Sequence, residues 1–149
     1  MPIYATSVSI DATPENVWRV LSNVTQWPLW TPTVTGVTAL EAPELRVGSR
    51  FRVTQPKLRP ATWTVTRAVA NSGFVWESRS LGMVMVAEHS IEPAAGGRTR
   101  VYLSFAFRGI LGAVLGRISK TLVESYLATE ADSLRKHAED LHTQQSRRH

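Results

Sequence analysis

The sequence has no cysteine, which removes disulfide frameworks, thiolate metal sites and cysteine nucleophiles and leaves nothing that points to an oxidising compartment. No apolar run approaches the roughly 18 residues of a spanning helix. The start, Met1-Pro2-Ile3-Tyr4, lacks the basic residues and apolar core of a secretory signal. The expectation is a soluble cytoplasmic protein. Gly-x-Ser-x-Gly turns are missing, and Gly109, Gly112 and Gly116 follow neither a phosphate-loop nor a dinucleotide-binding spacing. No nucleotide or other cofactor is expected. Histidine is scarce, with four in the chain. His137 and His142 lie near the end of a helical stretch and His149 in a charged tail, so no ligand pair forms and no metal site is expected.

Acidic residues are absent between Glu44 and Glu77, where Arg46, Arg50, Arg52, Lys57, Arg59 and Arg67 all fall, in a chain of net charge +5. Such a run invites a nucleic-acid reading. However, Arg50 and Arg52 alternate with Phe51 and Val53, which places the charges on the solvent face of a strand whose other face is core. The run reads as a solvated face, with no specific nucleic-acid partner and at most a weak contact with an anionic surface.

What the sequence does hold is strong periodicity. Tyr4, Thr6, Val8 and Ile10 alternate with small polar residues to give a first strand with an even-numbered inner face. Thr13-Pro14-Glu15 then starts a helix: a capping hydroxyl, a proline where no N–H is needed, and an acid in the positive first turn. Val17, Trp18, Val20, Leu21 and Val24 give that helix its buried stripe, and Thr25 is a candidate cap for a second short helix ended by Pro28 and Pro32.

From Val34 onward, turn signals separate six further strands, near 34–40, 48–55, 61–70, 73–80, 83–92 and 98–108. Short connections imply antiparallel pairing. Parity turns Phe51, Trp63, Phe74, Trp76, Met85, His89, Phe105 and Phe107 to a common inner face.

The last stretch, from about Gly109 to His142, carries apolar residues at Leu111, Leu115, Ile118, Leu122, Tyr126, Leu134, Ala138 and Leu141. That spacing predicts one amphipathic helix of roughly 45 to 50 Å packed across the sheet. A single domain over 1–142 follows, with residues 143–149 as a basic tail expected to be disordered. The architecture is two-layer α+β.

The stretch Ile10-Asp11-Ala12-Thr13-Pro14-Glu15-Asn16-Val17-Trp18, followed by Trp27-Pro28-Leu29-Trp30, resembles the polyketide cyclase/dehydrase and lipid-transport family, START-related members of the SRPBCC superfamily. Val47-Gly48-Ser49-Arg50-Phe51, His89 and Gly97-Arg98-Thr99-Arg100-Val101 extend the likeness over nearly the whole chain. The resemblance implies a helix-grip fold, in which a curved seven-stranded antiparallel sheet wraps a long C-terminal helix and two short helices follow the first strand. It also implies an apolar cavity between sheet and helix.

Within that interior His89 is the one titratable residue that parity turns inward, beside Met85, Ala87 and Ile91. It reads either as a hydrogen-bonded core histidine or as a donor that orients a ligand. Tyr126, Gln55 and Ser78 are weaker polar candidates. Among the five tryptophans, Trp18 reads as helix packing, Trp63 and Trp76 as wall or core, and Trp27 and Trp30 as a closure over the mouth. The candidate ligand-binding set is Trp27, Trp30, Phe51, Trp63, Trp76, Met85, His89, Phe105, Leu115, Ile118, Leu122 and Tyr126. Gly109 to Gly116, together with Trp27 to Trp30, is the expected entrance; alternatively these glycines allow close packing against Trp27 or Trp30.

Three functions are compatible with this pattern. The first is binding or transport of a small hydrophobic molecule such as a lipid, isoprenoid or polyketide. The second is a cyclase or dehydratase using the same cavity, which requires at least two convergent polar groups inside it. The third is an interaction module with a filled interior. One inward polar candidate favours the carrier.

Overall fold

The computed structural model describes residues 2–147. A first strand β1 (Ile3–Ile10) leads into helix α1 (Pro14–Ser22) and a 3-10 turn (Val24–Leu29). Then come β2 (Gly36–Ala39), β3 (Arg50–Thr54), β4 (Ala61–Val69), β5 (Gly73–Ser80), β6 (Met83–Pro93) and β7 (Thr99–Arg108). Helices α2 (Ile110–Ile118) and α3 (Lys120–Arg147) close the chain.

The sheet has seven strands in the order β1-β7-β6-β5-β4-β3-β2, every pair antiparallel. Hairpins connect β2 through β7 in sequence, while β1 crosses over to pair with β7 and so becomes an edge. The sheet is curved. A register shift between Val65 and Arg67 marks an irregularity in β4, a feature that bends a strand and raises its twist. This is the helix-grip arrangement.

Strand parity agrees with the sequence expectation throughout. Phe51, Val53, Trp63, Val65, Phe74, Trp76, His89, Ile91, Val101 and Leu103 are all buried, and their alternating neighbours face outward. At α1, Thr13 accepts a hydrogen bond from the Asn16 N–H at 3.3 Å, with Pro14 at the first helical position. The second short helix differs from expectation: it is a 3-10 turn begun by Asn23, with Thr25 inside it and Pro28 within its span. Proline's fixed φ matches a 3-10 turn, so Pro28 ends an α-helix without interrupting this one.

The C-terminal stretch also departs from a single helix over 110–142. It divides at Ser119, whose ψ of 5° leaves the α region while its N–H still donates to Leu115 O and its carbonyl accepts from Val123. The kink turns α2 onto the ends of β6 and β7, while α3 crosses β1, β7 and α1. At its far end α3 continues as helix through Arg147, so residues 143–147 of the expected tail are helical; 148 and 149 lie outside the described residues. The Asn16 amide lies 3.0 Å from His142 Nδ1, and the Asp11 N–H donates to Glu139. These contacts hold the last turns of α3 against α1 and the turn that precedes it.

The helix phase requires a second correction. Gly112 and Gly116 are the buried positions of α2, and Val123, Leu127, Ala131, Leu134 and Ala138 those of α3. The expected stripe through Leu111, Leu115, Ile118 and Leu122 is one residue out of phase, because the glycines take the inner side. A Cβ on Gly116 would stand 2.8 Å from the Phe107 ring, and one on Gly112 3.2 Å from the Phe107 backbone. Both glycines are packing residues, and their partner is Phe107 rather than Trp27 or Trp30.

Candidate functional site

Three rows of inner-face side chains run across the strands under α3. Phe51 pairs with Trp63, Val65 with Trp76, Trp76 with Ala87, Ala87 with Phe105, Phe74 with His89 and His89 with Leu103. Every member of the middle row is bulky except Ala87. A methyl group standing between an indole and a phenyl ring leaves unfilled space, and the cavity opens there. Its floor is Trp63, Trp76, Ala87, His89, Leu103 and Phe105; Trp27 forms one end, and Val123, Tyr126, Leu127 and Glu130 from α3 form the roof. The volume is about 60 Å³, room for about four or five water molecules on the same measure.

The mouth lies between α3 and the loop after β3. Leu58 is exposed there, and half-buried Gln55 and Tyr126 flank it. The Tyr126 hydroxyl donates to the Pro56 carbonyl, and the Gln55 amide donates to Thr33 O at 3.1 Å. Both bonds tie the rim together. Trp27 is a fixed wall, since it is 2 % exposed and its indole N–H donates to Leu21 O.

His89 is held on three sides. Its ring stacks on Phe74 at 4.2 Å and meets Trp27 and Trp76 edge-on. Its Nδ1 lies 3.4 Å from the Phe74 carbonyl oxygen, an acceptor, so Nδ1 carries the proton and Nε2 presents a lone pair. That lone pair faces Glu130: Nε2 to Oε1 is 3.8 Å. Glu130 Oε1 is buried and has no hydrogen-bond partner among the described residues.

Burial sets the protonation of both groups. Desolvation lowers His89 to about 4 against the partial offset of the Phe74 carbonyl, and it raises Glu130 to about 7. Between these values the pair is a neutral imidazole facing a neutral carboxylic acid, not an ion pair, because neither charge is hydrated in the apolar interior. The site therefore holds one proton donor on its roof and one proton acceptor on its floor, facing each other.

Of the candidate residues, Trp27, Trp63, Trp76, His89, Phe105 and Tyr126 line the cavity. Phe51 packs behind it at 6.2 Å from Trp76. Met85 lies further along β6, opposite Ser78 and Phe107. Trp30 does not close the mouth: it stacks on His137 at 6.3 Å, with its buried indole N–H unpaired among the described residues. Leu115 and Ile118 face outward and Leu122 is off the wall, the consequence of the phase error. Sequence reasoning missed Glu130. The signal was present, since Glu130 is the one charged residue in the stripe Val123, Leu127, Glu130, Leu134.

The fold is shared with solved structures of low identity. The XoxI protein from Bacillus cereus superposes with a TM-score of 0.74 at 14% identity, covering 95% of this chain and 98% of that one. The Zhui aromatase/cyclase from Streptomyces sp. R1128 gives 0.72 at 19% identity, covering 92% and 93%. Ginseng major latex-like protein 151 from Panax ginseng gives 0.70 at 11% identity, covering 91% and 96%. No curated protein matches the sequence. At such identities the likeness is one of fold. The sequence itself reaches further, because residues 1–139 match the family described as polyketide cyclase / dehydrase and lipid transport. With the helix-grip sheet, the capped α1 and the enclosed apolar site all within those residues, the chain belongs to that family.

Proposed function

We propose that the chain binds a small, largely apolar molecule between the sheet and α3, with one oxygen of that molecule presented to Glu130 and His89. The observation that carries this reading is Glu130 Oε1, buried in a largely apolar wall with no hydrogen-bond partner among the described residues. A buried carboxyl without a partner costs stability, and a ligand hydroxyl or carbonyl supplies the missing bond. The apolar wall supplies the affinity, at about 25 cal/mol per Å² of surface removed from water. The cavity as it stands is smaller than the roughly 300 Å³ of a typical ligand site, so binding requires the rim at Leu58 and Tyr126 to move outward.

The test is direct titration with 2-naphthol and naphthalene, which differ by one hydroxyl. Tighter binding of 2-naphthol by the wild type, with the preference lost in Glu130→Leu, supports the reading. Absence of saturable binding of either, together with no small molecule retained by the freshly purified protein in native mass spectrometry, overturns it.

The same pair supports a second reading, a general acid–base enzyme of the cyclase or dehydratase type. His89 Nε2 can remove a proton from carbon beside a carbonyl, while Glu130 donates its proton to a departing hydroxyl, which leaves as water. Two convergent groups are the minimum such chemistry needs. Turnover of a β-hydroxy ketone to the conjugated enone, followed by ultraviolet absorption and abolished in His89→Gln, distinguishes an enzyme from a carrier.

A further inference from the structure

Helix α2 is built inside out. Its buried positions are Gly112 and Gly116, whereas Ile110, Leu111, Val114, Leu115 and Ile118 are 87, 46, 53, 40 and 75 % exposed. At 100° per residue those side chains span an arc of about 140°, a width that a globular helix normally turns to the core. Here the core side is taken by the Phe107 ring, which admits only glycine. Leu81, 94 % exposed at the tip of the β5–β6 turn, extends the patch: the Leu111 N–H donates to Gly82 O, and the Leu111 side chain packs on Gly82.

The rim of this patch is positively charged. Arg108, Arg117 and Lys120 border α2 and form no ion pair among the described residues. No acidic residue occurs between Glu92 and Glu124. An apolar strip flanked by unpaired cations complements a surface that is apolar below and anionic above, which is the chemistry of an anionic phospholipid bilayer. A second copy of the chain is disfavoured, because a two-fold interface would set the same cations against themselves. We infer that α2 and the Leu81 turn form a membrane-surface docking site that inserts Ile110, Val114, Ile118 and Leu81 below the headgroups of anionic lipid, with Arg108, Arg117 and Lys120 at headgroup level. This inference is independent of what the interior cavity binds.

Because the chain lacks cysteine, Leu81→Cys can be labelled at one position with an environment-sensitive thiol dye, with Thr38→Cys on the outer sheet face as the control. Vesicles of phosphatidylcholine alone and with phosphatidylserine at three parts in ten would be added in physiological salt, alongside co-sedimentation of the unlabelled chain. The expected result is a blue shift at position 81 and not at 38, with phosphatidylserine vesicles and not with neutral ones. Binding should fall at least tenfold in the exposed-site variant Ile110→Ser/Val114→Ser/Ile118→Ser. It should fall about fivefold for each cation removed in Arg117→Gln and Lys120→Gln. Lack of binding to phosphatidylserine vesicles overturns the inference, as does binding unchanged by the α2 variants but lost in Arg52→Glu, which would move the contact to the sheet. A concentration-dependent dimer in sedimentation velocity that the triple serine variant abolishes also overturns it, by assigning the patch to self-association.

Discussion

Glu130 Oε1 and His89 Nε2 face each other at 3.8 Å across the cavity, and burial leaves both uncharged between about pH 4 and about 7. The two groups push the pH dependence of stability in opposite directions. Glu130 keeps its proton up to about pH 7 when folded, against an ordinary value of 4.5, so the folded chain binds more protons in that window and stability falls as pH rises through it. His89 takes up a proton below an ordinary value of 6.5 when unfolded but only below about 4 when folded, so its contribution rises with pH over that range and is level above it. Between 4.5 and 6.5 the slopes oppose each other. Glu130→Gln should expose the rising slope alone and His89→Gln the falling one, each amounting to about 3 kcal/mol across its window. Urea unfolding from pH 4 to 8 measures both, and flat profiles in the two variants would show that neither group changes its proton binding on folding.

Ala87→Leu should fill the cavity from its floor. The leucine would enter the gap between Trp76 and Phe105, its partners in register, and abolish 2-naphthol binding. The melting temperature should stay within a few degrees of wild type, because the volume added is volume now empty. A drop of more than about 3 kcal/mol in stability would mean that this gap is already occupied by packed side chains.

Gly116→Ala should be destabilising even though alanine favours helix by about 1 kcal/mol. The new methyl meets the Phe107 ring at 2.8 Å near its root, so the ring or the helix must shift, at a cost of about 1 to 3 kcal/mol. Thermal unfolding reads the sign. Stabilisation by the substitution would refute the tight seat of α2 on Phe107.

Tyr126→Phe removes the hydroxyl that donates to Pro56 O across the mouth. Loss of one half-exposed hydrogen bond should cost about 1 kcal/mol or less. Ligand entry and exit should both accelerate in stopped-flow mixing, with little change in Kd. Unchanged rates would place the opening motion elsewhere on the rim.

The sheet was legible in the sequence because strands have a period of two and parity has only two answers; Trp63, Trp76 and His89 could not be half right. The C-terminal helix offered more freedom. Leu111, Leu115, Ile118 and Leu122 form as good a stripe as Gly112, Gly116 and Val123, and local periodicity cannot tell which side faces a ring such as Phe107. The choice was made by a tertiary contact. Glu130 was hidden for the opposite reason, since a charged residue on a helix is usually at the surface, and only its place among Val123, Leu127 and Leu134 marked it as interior.

The indoles of the floor and end wall have an optical consequence. Trp76 lies 5.6 Å from Trp63 and 5.4 Å from Trp27, ring centre to ring centre. Chromophores that near, held at fixed tilts of 32° and 56°, couple their excited states, and the chain should show a strong split band in circular dichroism that no single tryptophan produces. His89 lies 5.5 Å from Trp27 and 5.9 Å from Trp76, close enough for its protonated ring to quench their fluorescence. The aromatic wall thus acts as an intrinsic spectrometer, reporting occupancy through the coupled band and proton movement through emission, without a label.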